Sequence, residues 1–112
     1  MNRIFNKQKA ATLKKAVDCF GETSQLIVAV EECSELQKEI TKFIRGKRSP
    51  ENIAEEIADV LIMIGQLQVI YPDVTDDLIN AFITKKLGRI NELCHEVEVS
   101  DLDDIACLND RY

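Results

Sequence analysis

Two prolines and four glycines are the only residues among 112 that readily interrupt a helix, and where they fall decides what the chain can become. Gly21, Gly46, Pro50 and Pro72 cut the sequence into four stretches of helical length, while Gly65 and Gly88 sit inside helical patterns. The spacing predicts a first helix over 4–20, stopped by Gly21 as a left-handed cap. A second starts after Thr23 or Ser24 and runs to about Arg45, with Arg45, Lys47 and Arg48 complementing its C-terminal dipole. Ser49, Pro50 and Glu51 form the clearest boundary, with Ser49 as N-cap, Pro50 at the first helical position and Glu51 near the positive end of the helix. The third helix then runs to Tyr71 before Pro72, and a fourth opens near Thr75, carries Asp76 and Asp77 in its first turn and reaches about Val97. An acidic tail follows over 98–112, with one more turn expected over 102–108.

Aromatic content of 5% and apolar residues dominated by Ile, Leu, Val and Ala oppose a turn-rich β sandwich. The expected fold is therefore all-α: a four-helix antiparallel bundle forming one domain over 1–112, with its core over 4–97. A chain of this length buries roughly two thirds of its unfolded surface, enough for a core without disulfides or structural metal. From Val60 to Tyr71 the apolar residues surround the third helix instead of forming one stripe, so more than one face must be covered. Gln66 and Gln68 interrupt the run and it is too short to span a bilayer. The surplus face is expected to meet another subunit, in a homodimer or tetramer.

A net charge of -6 and a pI near 4.8 give no general attraction to nucleic-acid backbones or anionic lipid, so neither a nucleic-acid polymer nor a membrane is an expected partner. An anionic ligand would need a cation between itself and this protein. Residues 1–16 carry Lys and Arg throughout without a continuous apolar segment, which is no secretory signal and implies a cytoplasmic protein. Cys19, Cys33, Cys94 and Cys107 form no C-x-x-C pair and sit mostly within apolar patterns, where they read as reduced, buried small hydrophobes.

Charges inform most where they break the apolar pattern. On the second helix the stripe runs Leu26, Ala29, Val30, Cys33, Leu36, Ile40, Phe43 and Ile44, and helical winding gathers Glu32, Glu35 and Glu39 along one edge, with Glu31 pointing to water. On the third, Glu56 falls inside the sector of Ile53, Val60, Met63 and Leu67, Asp59 lies beside it and Glu55 turns away. On the fourth, Lys86 lies in line with Ile79, Ile83, Ile90 and Val97, Arg89 sits at that stripe's edge, and Lys85 faces solvent. If the second and third helices are neighbours, Glu32, Glu35, Glu56 and Asp59 converge, and four like charges that close require a strong cation. Oxygen ligands without cysteine select Mg²⁺ or Mn²⁺, and Mg²⁺ keeps sites for substrate phosphates. With Lys86 and Arg89 inward, the pattern suggests a phosphate ester held through metal. Asn80 and Asn91 share an edge of the fourth helix and suit a base or ribose as well as solvent.

The segment Val30-Glu31-Glu32-Cys33-Ser34-Glu35-Leu36, followed by Glu55-Glu56-Ile57-Ala58-Asp59-Val60-Leu61, resembles the paired acidic motif of the MazG-like all-α nucleotide pyrophosphohydrolases, E-E-x-x-E on one helix and E-x-x-D on the next. That superfamily includes the dimeric dUTPases and the phosphoribosyl-ATP pyrophosphohydrolases. Lys86-Leu87-Gly88-Arg89 is similar to the K-f-x-R stretch these enzymes often carry on the following helix, and Thr84 stands where many members have Asn. The resemblance spans residues 24–93 and implies cleavage of a nucleoside triphosphate to the monophosphate and pyrophosphate. It implies Glu32, Glu35, Glu56 and Asp59 as Mg²⁺ ligands, Lys86 and Arg89 as phosphate contacts, and Glu35 as the candidate general base. The first helix carries no motif of the family, so the base and ribose contacts stay open.

Two other classes compete. A carboxylate-bridged di-metal bundle is suggested by Glu92-Leu93-Cys94-His95, an E-x-x-H, but such sites need two of these motifs and the chain has one histidine. A non-enzymatic oligomeric helical protein would carry the same acids as a solvated face, with Lys38 and Lys42 as helical partners or Lys86 paired to Glu56.

Overall fold

In a computed structural model that describes residues 5–99, the chain is all-α, with four helices: α1 (Lys7–Phe20), α2 (Glu22–Ile44), α3 (Pro50–Ile70) and α4 (Asp76–Val99). The turn expected over 102–108, and Cys107 in it, lie outside the described residues. The helices form two compact units, α1 to α3 in one and α4 in the other. None of them is long and apolar enough to cross a membrane.

Local chemistry sets the boundaries. Asn6 caps α1, its side-chain oxygen accepting from the Lys9 N–H at 2.9 Å, so the helix starts a little later than the apolar pattern alone suggests. Gly21 ends α1 and also opens α2: its N–H donates to the Val17 carbonyl and its own carbonyl accepts from Gln25. The expected cap at Thr23 or Ser24 is therefore not used, because α2 begins at Glu22 directly after this glycine. Its φ of 89° and ψ of 151° belong to a region that side chains avoid, which is why one residue can serve both helices. Ser49 accepts from the Asn52 N–H at 3.2 Å with Pro50 at the start of α3, as the triplet predicts. Thr75 Oγ1 accepts from the Leu78 N–H at 3.1 Å at the start of α4, and Asp76 and Asp77 occupy its first turn.

Within the first unit α3 packs mainly on α2 and also on α1, which in turn touches α2. Five residues join α2 to α3, far too few to return along a 23-residue helix, so the two run antiparallel. At the corner the Arg48 guanidinium lies 5.3 Å from the centre of the Phe43 ring. Leu13 and Val17 of α1, Ala29 of α2 and Met63 of α3 are buried. Gly65 marks a close approach of the N-terminal segment to α3, since a Cβ there would fall 2.5 Å from Leu13 Cδ1 of α1 and 3.2 Å from the ring of Phe5, just before α1.

The packed face of α2 takes in only one half of its apolar stripe. Gln25, Ala29 and Glu39 are buried and Glu32, Leu36 and Phe43 half-buried, whereas Val30, Ile40 and Ile44 of the stripe are exposed. Cys33 goes outward with them. Cys19, Cys33 and Cys94 are free, as expected, but exposed and not buried: an apolar neighbourhood in sequence does not become burial on a face that no other helix of the unit covers.

Candidate metal centre at the α2–α3 interface

The antiparallel pairing brings the E-x-x-E of α2 alongside the E-x-x-D of α3. Carboxylate oxygens of Glu32, Glu56 and Asp59 lie within 4.8 Å of one another, and all three side chains are half-buried. Winding explains the selection: Glu32 occupies the middle of the packed face of α2, and Glu56 and Asp59 occupy one side of α3, three residues apart. Glu31 and Glu55, one position earlier in each pair, are exposed as expected.

Glu35 stands at the rim. It is exposed, and its Oε1 accepts from Lys38 Nζ at 3.2 Å. Glu39, one turn further along α2, is the acid that sequence reasoning placed on this edge without assigning it to the site; it is 8% exposed, with Lys42 Nζ 3.6 Å from its Oε2. A full turn beyond Glu35 on the packed side, its burial was foreshadowed by the same winding that selected Glu32.

The electrostatics match the crowding. Burial pushes the Glu32 carboxyl above the ordinary 4.5, and Asp59, through its charge and a hydrogen bond, then Glu56 and Glu35, push it further. Glu56 is also raised, first by burial and then by the charges of Asp59, Glu35, Glu55 and Glu39. Its Oε2 is buried without a hydrogen-bond partner. An orphaned carboxylate oxygen beside two further acids fits a divalent cation: hard oxygens from two helices, converging on one point, are the donor set that Mg²⁺ or Mn²⁺ takes.

Lys86 and Arg89 lie three residues apart on α4, and both are exposed. The stripe expected to draw Lys86 inward is itself half-open, with Ile83 exposed. On the same helix Asn80 is half-buried and Asn91 exposed, and His95 is exposed with Nδ1 3.8 Å from Glu98 Oε2. Among the described residues the group of acids able to hold a metal contains no histidine and no cysteine. No protein-family model matches the chain, and no curated protein or solved structure is significantly similar to it. The chemistry of the acids therefore rests on their geometry and on the motif resemblance.

Proposed function

We propose that this protein is a Mg²⁺-dependent nucleoside triphosphate pyrophosphohydrolase of the MazG-like kind, releasing a nucleoside monophosphate and pyrophosphate, with Mn²⁺ as an alternative ion. The observation that carries the reading is the convergence of Glu32, Glu56 and Asp59 from two antiparallel helices, their oxygens within 4.8 Å. Without a cation the arrangement is self-repelling: the Glu32 and Glu56 carboxyls are raised first by burial and then by the charges of their acidic neighbours.

Glu32, Glu56 and Asp59 would hold the ion, with Glu35 completing the set if it leaves Lys38. Bound there, Mg²⁺ would withdraw charge from the phosphates and lower the pKa of a nearby water. Glu35 is the proposed general base: at the exposed rim, beside Lys38, its carboxylate can meet water. Hydrolysis between the α- and β-phosphates then needs added positive charge, a role that the resemblance gives to Lys86 and Arg89. A homodimer or larger assembly belongs to the same proposal, because large apolar side chains such as Val30 (69% exposed) and Ile44 (79%) are open to solvent.

Those same side chains favour a second reading, a non-enzymatic oligomeric helical protein. One experiment separates the two. The purified protein is incubated with a panel of ribo-, deoxy- and modified nucleoside triphosphates and Mg²⁺, and pyrophosphate is assayed against orthophosphate. The enzyme reading expects pyrophosphate in stoichiometric yield with monophosphate. Orthophosphate alone, or no turnover across the panel by a folded oligomer, would overturn it.

A further inference from the structure

The open side of α2 carries a repeat of its own. Leu26, Val30, Cys33, Gln37, Ile40 and Ile44 follow one another in alternating steps of four and three, the spacing of about 3.5 residues that lets a second helix track the first along its length. Leu26 is half-buried and the other five are exposed, Ile44 most of all. At about 100° of winding per residue, the centre of this seam lies roughly 140° round the helix from Glu32, Glu35 and Glu39. A helix laid on it leaves the acids uncovered.

Charge sets the direction of that second helix. Over 22–35 α2 carries Glu22, Glu31, Glu32 and Glu35 and no Lys or Arg, whereas over 36–48 Lys38, Lys42, Arg45, Lys47 and Arg48 stand against Glu39 alone. Two copies of α2 side by side and parallel would set acid beside acid and cation beside cation. Antiparallel, each acidic half meets a basic half and the two helix dipoles oppose.

The apolar residues then choose the register. Val30 set on the partner's Ile40 also brings Leu26 to the partner's Ile44 and Cys33 to the partner's Gln37. Sliding one copy by seven residues puts Val30 against Lys47 in one direction and Ile40 against Thr23 in the other. In the favoured register the two Gln37 side chains are offset by about 6 Å along the axis, within reach of each other, and an amide both donates and accepts. A single polar side chain in an apolar seam is a known device for fixing register and strand number.

We propose that α2 pairs with α2 of a second copy as an antiparallel two-stranded coiled coil in this register. The inference turns the assembly part of the proposed function into a defined interface and needs none of its chemistry. Each chain keeps its own acid site on the far side of α2 from the seam.

Spin labels read both orientation and register. Ser34 and Thr41 are exposed at the edge of the seam, and each is replaced in turn, as Ser34→Cys or Thr41→Cys, in a chain whose native cysteines are replaced by Ala. In the proposed pair the two Ser34 positions are offset by about 3 Å along the axis and the two Thr41 positions by about 18 Å. The distance between labels is therefore expected to be clearly longer for Thr41→Cys than for Ser34→Cys. Equal distances, a longer distance at Ser34, or a wild type that is monomeric at micromolar concentration would overturn the proposal. If the cysteine-free chain fails to assemble, the native protein decides. Glu22 faces the partner's Lys47 in this register, whereas within one chain the two lie at opposite ends of α2, about 33 Å apart. Direct coupling of carboxylates to amines in an equal mixture of unlabelled and isotope-labelled chains is expected to give a Glu22–Lys47 link of mixed label. Links between copies that join only other pairs would overturn the antiparallel seam. Neither readout involves a nucleotide, so the turnover assay can fail without touching this result, and the reverse.

Discussion

Glu56 carries the tension of the site. It is half-buried, one of its oxygens has no hydrogen-bond partner, and its neighbours Asp59, Glu35, Glu55 and Glu39 all bear the same charge. Glu56→Gln removes one charge from the crowd and supplies a donor, so the metal-free variant is expected to melt at a higher temperature than the wild type at neutral pH. The sign of the pH dependence follows. A carboxyl raised above 4.5 in the folded state holds its proton more tightly there than in the unfolded chain. Its favourable contribution is complete below the unfolded value and is lost as pH rises through the folded one. In EDTA the melting-temperature gap between Glu56→Gln and wild type should thus widen as pH rises from below 4.5 towards neutrality, and Mg²⁺ should close or reverse it by stabilising the wild type. A gap independent of pH and Mg²⁺ would leave Glu56 as an ordinary surface acid. Glu35→Gln addresses chemistry instead: pyrophosphate release is expected to fall by about 10²–10⁴-fold with metal affinity reduced far less. Equal loss of both would make Glu35 a ligand and not the base.

The helices show what sequence conveys easily and what it does not. Ser49, Pro50, Gly21 and Thr75 act through bonds within one turn, so the element boundaries follow from neighbouring residues. Which face packs is a different matter. On α2 the apolar stripe joined Leu26, Ala29, Leu36 and Phe43 to Val30, Ile40 and Ile44, yet only the first four are covered, and Gln25, Glu32 and Glu39 are drawn in beside them. The acidic pairs were legible because E-x-x-E and E-x-x-D place their members on one face whatever the partner. The buried amides of Gln25 and Gln66 were not, because a glutamine in an apolar run carries no periodic signature and shows its place only once the antiparallel register is known. Glycine makes the same point energetically. Gly65→Ala puts a methyl 2.5 Å from Leu13 Cδ1 and is expected to cost about 1–3 kcal/mol through overpacking. Gly88→Ala meets nothing within 4 Å and should stabilise α4 by roughly 0.5–1 kcal/mol through helix propensity. Opposite signs in urea melts would confirm that α1 is seated on α3 at Gly65.

For the molecule as a whole, the question is what covers its apolar surface. On α2, Ile27, Val30, Ile40 and Ile44 are between 45% and 79% exposed, and Ile57 and Ile64 on α3, with Tyr71 at its C-terminal cap, are between 40% and 50%. These belong to the surplus faces that the sequence already displayed, most plainly in the apolar run from Val60 to Tyr71, where Met63 and Gly65 turn inward while Ile64 and Tyr71 remain open. A net charge of -6 keeps such a chain apart from its copies only where the contact is polar, and the exposed stripe of α2 is interrupted by Ser34, Gln37 and Thr41 and not by acids. Self-association through this stripe is therefore the expected state at micromolar concentration. Replacing Val30 and Ile44 together with Lys exchanges two solvent-facing apolar side chains for charged ones without touching the packed face of α2. Light scattering after size exclusion should then read a dimer or tetramer for the wild type and a smaller species for the double variant. The acid site offers a control, since tripolyphosphate and Mg²⁺ should still bind to the variant if Glu32, Glu56 and Asp59 are assembled within one chain. A wild-type monomer would instead leave the stripe for a different partner, and a variant that keeps its full mass would move the interface to the open face of α3.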